Sequence, residues 1–368
     1  MSVPDELRRY VPRTDLYDSY ELIHYHMPVE QPPATASYII FKKGNKTYAK
    51  NGTYGHIEYE STDAATTIQS AIDSLTSGGK ILIKAGEYEI TSTIKVGEAI
   101  AIEGENRGYR NSQPATRLRL SDGANCVLLK AKGENAGYSL FITLKNIWFY
   151  GNSANQTSDV NLVDLYDGGS AIGSFAYIEN CYFSNAKATG LEAYLSTVIG
   201  CYFMNAGKYL AAFHDEDYVS GCQFSGGGWS NVALGNGVRF IGNNVTSANE
   251  HGILIYGYQQ CIIANNRVFE NRYGGIRIHD AKNNIIVGNW VYENSQYGAN
   301  AYSGILIDGS STDNIINGNR SYGTNQKYGI EEAGTSDYNI ITSNICRNNA
   351  TGGISTVGTN TVKADNIE

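Results

Sequence analysis

The sequence predicts an all-β fold: a right-handed parallel β-helix, or solenoid, with an N-terminal capping helix. Three observations predict it. A short segment recurs every roughly 20–30 residues along the second half of the chain. The composition is rich in Gly (41 residues) and poor in Pro (6) and in charge (17%), as expected of many short strands joined by tight turns. One amphipathic helix stands immediately ahead of the first strands, where a solenoid must cover its open end.

The repeat is legible in IENCYF, VIGCYF, VSGCQF, FIGNNV, IIANNRV, IIVGNWV, IINGNRS and IITSNIC, which align Cys181, Cys201, Cys222, Asn243, Asn266, Asn289, Asn319 and Asn344. A second strand follows in each coil: GLEAY, LAAFH, NVALG, GILIY, GIRIH, GILID, GIEEA and GISTV. Two strands and a turn at this period predict stacked parallel coils about 4.8 Å apart. The aligned Cys and Asn then form a structural ladder, with Asn amides satisfying neighbouring polar groups. The six cysteines contain no CxxC pair, which argues against zinc and for core packing.

The capping helix is read in Thr62–Leu75, and the run GGKILIKAGEYEI follows it at Gly78–Ile90. Residues 36–60 form a lead-in with a hairpin turning at Gly44-Asn45. Residues 1–35 hold five of the six prolines and read as an arm suited to assembly, with His24 and His26 as a surface pair. The β-helix domain is then 61–368. The chain as given shows no signal-peptide core and no apolar run long enough to span a membrane. A secreted or virion-associated protein is expected. The net charge of −8 argues against nucleic acid as a partner.

The helix followed by GGxIxIxxGxYxI resembles the pectate-lyase-like superfamily of right-handed β-helices over residues 60–368. The segment YGGIRIHD (Tyr273–Asp280), with GILID ending at Asp308 one coil later, is similar to the mannuronan C5-epimerase and alginate-lyase group. There a Tyr-Gly start, a His at the strand end and an Asp on the next coil form the active site. The resemblance implies that His279 and Asp308 hold the last two places. Tyr273 stands one residue out of step. Arg277 occupies the place of that group's acid, and Ile278 that of its proline.

Strand alternation yields a site without the family. In GIRIH, Ile276 and Ile278 point inward, so Arg277 and His279 point outward. The same frame puts Tyr194, His214, Gly235, Tyr256, His279 and Asp308 in one outward column. Glu192, Ala212, Ala233, Leu254, Arg277, Leu306 and Glu331 form the adjoining one. The expected partner is an acidic polysaccharide lying along this wall, and the leading reading is an enzyme acting on a uronate polymer by removing its C5 proton. That proton is acidic only when the carboxylate is neutralised, so a cation, a base and an acid are needed. Arg277 is the neutraliser, His279 the base, Asp308 its orienter and Tyr256 the acid. Tyr194, Glu192, His214, Asp280, Tyr297 and Glu331 are expected to bind substrate, with Tyr297 in an inserted loop (SQYGANAY) beside the cluster. No cofactor is required. Calcium stays open at Asp215 and Asp217 of the FHDED run, as clustered acids suit a hard cation. β-Elimination and epimerisation are not separated at this point. A glycoside hydrolase using Asp280 and Asp308, or Asp308 and Glu331, and a non-catalytic glycan-binding or virion spike protein stand as alternatives.

Overall fold

A computed structural model describes residues 36–108, 115–132, 140–166 and 174–368. The arm at 1–35, with His24 and His26, lies outside the described residues. The rest is a parallel β-helix whose strands hydrogen-bond from coil to coil into three sheets of 15, 10 and 11 strands. The sequence suggests two strands per coil; there are three. The reason is a left-handed residue just ahead of each ladder position, such as Asn180 (φ 51°), Gly242 (φ 69°) and Ser343 (φ 58°), which bends an apolar run into two strands. One coil therefore runs Ile262–Ala264 in the first sheet, Arg267–Phe269 in the second and Ile276–His279 in the third.

At the N-terminal end, β1 (Tyr38–Lys43) and β2 (Lys46–Asn51) form the expected hairpin, and β3 (Ile57–Ser61) adds a third antiparallel strand. The hairpin is continuous with the solenoid, because β1 pairs in parallel with Gly79–Ile83. Helix α1 (Ala64–Asp73) is capped by Asp63, whose side chain accepts from the Ala65 and Thr66 N–H groups. Its buried face, including Ile68 and Ile72, closes the core. Each such isoleucine contributes about 1.5–3 kcal/mol by leaving water.

Inside, Phe149, Phe183, Phe203 and Phe224 stack with centroids 5.1, 4.8 and 4.6 Å apart. The Cys and Asn ladder is buried at the corner between the first and second sheets. Cys201 N–H meets Cys222 Sγ at 3.4 Å, and Cys222 N–H donates to Asn243 Oδ1 at 2.8 Å. Asn243, Asn266, Asn289 and Asn319 each donate a backbone N–H to the next Asn side chain at 2.8–3.0 Å. Those amides satisfy backbone groups that a corner takes out of the sheet ladder. All six cysteines are free thiols.

Candidate functional site

The outward face of the third sheet carries the two columns read from the sequence. Tyr256 pairs with His279 and His279 with Asp308 on successive coils, while Ile276 and Ile278 are fully buried. This register turns four polar side chains toward one patch. His279 Nδ1 lies 2.8 Å from Asp308 Oδ1. Arg277 donates to the same carboxylate twice, Nε to Oδ1 at 3.2 Å and Nη2 to Oδ2 at 2.8 Å. Its Nη2 also comes within 3.2 Å of His279 Nδ1. The Tyr256 ring, 59% exposed, stacks on the imidazole with centroids 4.8 Å apart and planes at 27°.

A carboxylate only accepts, so a hydrogen bond between Asp308 and Nδ1 puts a proton on Nδ1 and leaves the lone pair on Nε2. Asp280 Oδ2 sits 3.2 Å from Nε2, where it accepts once the ring carries a second proton. Asp280 is itself a turn residue at φ 50°. The Ser310 backbone N–H and hydroxyl, at 2.9 and 3.1 Å, hold its carboxyl below the usual carboxylate range. The charges of His279 and Arg277 act in the same direction.

The geometry revises the free neutraliser expected at Arg277. Its bidentate fork holds Asp308, which leaves Nη1 for an outside carboxylate. Tyr273 is not gathered with His279. Its ring stacks on Tyr302, with centroids 4.3 Å apart, at the turn that leads into the third sheet. The inserted loop lies at that same edge: Tyr297 packs edge-on against Tyr273 at 5.9 Å and beneath Arg272 at 4.7 Å. The loop thus borders the start of the strand, whereas His279 and Asp308 end theirs. Glu331 is engaged by Lys327 and the Ser303 hydroxyl, both at 2.6 Å.

A second polar group stands on the same face nearer the N-terminal end. His214 Nε2 lies 2.6 Å from Glu192 Oε2, and its ring stacks on Tyr166 with centroids 3.7 Å apart. Tyr194 stands beside Tyr166 at 5.7 Å. Between this group and Tyr256 lies a groove of about 670 Å³, floored by Ala212, Ala233 and Leu254. Gly235 fills the middle of the outward column, and a Cβ there would run into the His214 carbonyl. Lys208, Tyr209 and Tyr258 also line the groove and escape the column argument. They sit in turns, where alternation carries no information.

The calcium pair is corrected. Asp217 is fully buried, and its carboxylate accepts from the Ser196 and His214 backbone N–H groups at 2.6 and 3.0 Å. Burial raises its pKa well above the usual value. It ties a turn together and does not face Asp215 across an ion site. Among the described residues no group of three or more His, Cys, Asp or Glu side chains gathers as a metal would need.

Comparisons with known proteins agree with the architecture. The family model described as right-handed β-helix region matches residues 55–304 and 211–368. No curated protein sequence matches the chain. Among solved structures, the Azotobacter vinelandii mannuronan C-5 epimerase AlgE4 A-module superposes with a TM-score of 0.67 at 16% identity, covering 82% of this chain and 96% of that one. Tailspike protein 2 from Escherichia coli O157:H7 bacteriophage CAB120 gives a TM-score of 0.62 at 17% identity, covering 79% of this chain and 44% of that one. The Dettilon tailspike protein gives 0.57 at 16%, covering 80% and 65%. At such identities the likeness is one of fold.

Proposed function

The chain belongs to the right-handed β-helix family, and on that architecture we propose that it acts on an acidic polysaccharide, taking the C5 proton from a uronate unit laid along the third sheet. The observation that carries this reading is the contact of His279 with Asp308, itself clamped by Arg277, beneath the exposed ring of Tyr256. It supplies a proton acceptor in the imidazole Nε2, a fixed orienting carboxylate and a second proton-transfer group. The likeness to the mannuronan C-5 epimerase module supports a polysaccharide as the ligand class.

In this reading the uronate carboxylate meets Arg277 Nη1, which stabilises the negative charge that builds as C5 is deprotonated. His279 Nε2 takes the proton, and Asp308 and Asp280 accept from the two ring N–H groups that result. Tyr256 stands on the open side of the imidazole and supplies the second proton. Delivered to the glycosidic oxygen, that proton completes β-elimination. Delivered to the opposite face of C5, it completes epimerisation. Both carboxylates of the patch are engaged, Asp308 by Arg277 and Asp280 by Ser310, which disfavours hydrolysis by a free carboxyl pair. Among the described residues no helix is long and apolar enough to cross a membrane, and secretion or carriage on a virion suits a polymer substrate.

Incubation with alginate and pectate tests the reading. Ultraviolet absorbance of a new C4–C5 double bond reports elimination, and proton NMR of the intact polymer reports epimerisation. New reducing ends without either signal, or binding without turnover, would replace this reading by hydrolysis or by plain glycan recognition.

A further inference from the structure

The second sheet carries a second feature of recognisable chemistry. On three successive coils its outward column runs Arg267, Trp290, Arg320, and the neighbouring column runs Phe269, Tyr292, Tyr322. The three rings of the neighbouring column are half-buried and stack on one another, with centroids 5.0 and 5.7 Å apart and planes within 4° and 13°. Arg267 donates to the Tyr292 hydroxyl at 2.7 Å, and Trp290 Nε1 donates to the Tyr322 hydroxyl at 3.0 Å. Arg320 lies over the Trp290 and Tyr322 rings at 5.9 and 5.3 Å.

The same outward column nearer the N-terminal end shows what such a ladder looks like when it serves packing alone. There Trp148 and Tyr182 stack and are each only 4% exposed. Arg117 lies over Trp148 at 4.7 Å and is neutralised by Glu87. Trp290, in contrast, is 40% exposed. Among the described residues the side-chain contacts of Arg267 and Arg320 are with aromatic rings and the Tyr292 hydroxyl, although Glu270 and Glu293 follow the rings at the corner. Two guanidinium groups flanking an exposed indole, with no carboxylate partner of their own among the described residues, are conspicuous in a chain of net charge −8.

We propose that the Arg267–Trp290–Arg320 strip is a binding site for an acidic polysaccharide chain, separate from the third-sheet patch. Sugar rings pack on the exposed Trp290 indole and along the edge of the ring stack, and the arginine forks take carboxylates. Arg267 and Arg320 stand two coils, roughly 10 Å, apart. That separation suits charges repeated along a polymer better than one compact anion. The ligand class rests on the reading above, but binding here requires no turnover, so the two are tested apart.

The test is calorimetric titration of the full chain carrying His279→Ala, using oligomers of polymannuronate and polygalacturonate, with dextran and duplex DNA as controls. Trp290→Ala, and separately Arg267→Gln with Arg320→Gln, are expected to weaken one class of acidic-oligomer site by about tenfold. The double Gln variant keeps Trp290 and the stacked rings, so it still decides the matter if the Trp variant is unstable. Unchanged binding in the double variant overturns the proposal. Equal affinity for dextran overturns the role of the arginines, and equal or tighter binding of DNA overturns the choice of ligand. Loss of this binding in a protein that turns over no uronan leaves the strip standing and removes only the catalytic reading.

Discussion

Asp308 reaches back one coil to His279, Oδ1 to Nδ1 at 2.8 Å, while its other oxygen accepts from Arg277 at 2.8 Å. One carboxylate therefore sets the tautomer of the imidazole and the direction of the guanidinium. Its own side chain is only 17% exposed, so solvent screens the contacts less than at an open surface.

Asp308→Asn removes the charge and keeps the shape. The account expects a fall in kcat of roughly 100-fold or more, with substrate affinity altered much less. Steady-state kinetics on whichever uronan is turned over checks this. An equal rise in KM with kcat unchanged would make Asp308 a binding residue.

Tyr256→Phe keeps the ring over His279 and deletes only the hydroxyl. Turnover should drop by about 100-fold, close to the effect of Tyr256→Ala, while oligosaccharide binding is retained by Phe. A fully active Phe variant would show that the tyrosine stacks on sugar and transfers no proton.

Asp217→Ala leaves the Ser196 and His214 backbone N–H groups without their acceptor in a buried turn. A loss of about 2–4 kcal/mol is expected, from two unsatisfied donors, read as a lower urea midpoint. A stability unchanged by the substitution would mean that water reaches the turn.

His251 offers a prediction in pH. It is buried, its Nδ1 accepts from Gly274 N–H at 3.2 Å, and burial, aided by Arg277, pushes its pKa down to about 4. The folded value lies below the unfolded 6.5. Its contribution is thus complete above pH 6.5 and is lost as pH falls toward 4, by about 3 kcal/mol. His251→Asn keeps an acceptor for Gly274 without titrating, so its stability should fall less than that of the wild type across this window. Parallel unfolding curves for the two proteins would show that His251 is charged in the fold.

Much of this was legible in the sequence, for a physical reason. The outward columns follow from alternation in GILIY, GIRIH and GILID, where apolar residues at every second place leave one register only. The Cys and Asn ladder is legible because its period is strict. Bends within an apolar run are harder to see, because the left-handed residue ahead of the eight ladder positions is Gly at five and Asn or Ser at three, and so the third strand of each coil escaped. The second-sheet strip repeats visibly as NRVF, NWVY and NRSY. Yet Trp148 and Trp290 share one column and differ in exposure tenfold, 4% against 40%, and Trp148 packs in a cluster with Ala115, Tyr150 and Tyr182. No local pattern reports that. The partners of Arg277 and Asp217 were hidden likewise: rotamers decide that the first turns to Asp308 and the second into its turn.

Loss of a C5 proton to His279 is read most directly by isotope exchange. Wild type and His279→Ala should be incubated with alginate and pectate in heavy water, and C5 of the products read by NMR. Deuterium at C5, or a C4–C5 double bond in its place, is expected with wild type and neither with His279→Ala at unchanged fold. Polymer cut or bound by the wild type with every C5 proton retained, or full exchange by His279→Ala, would contradict it.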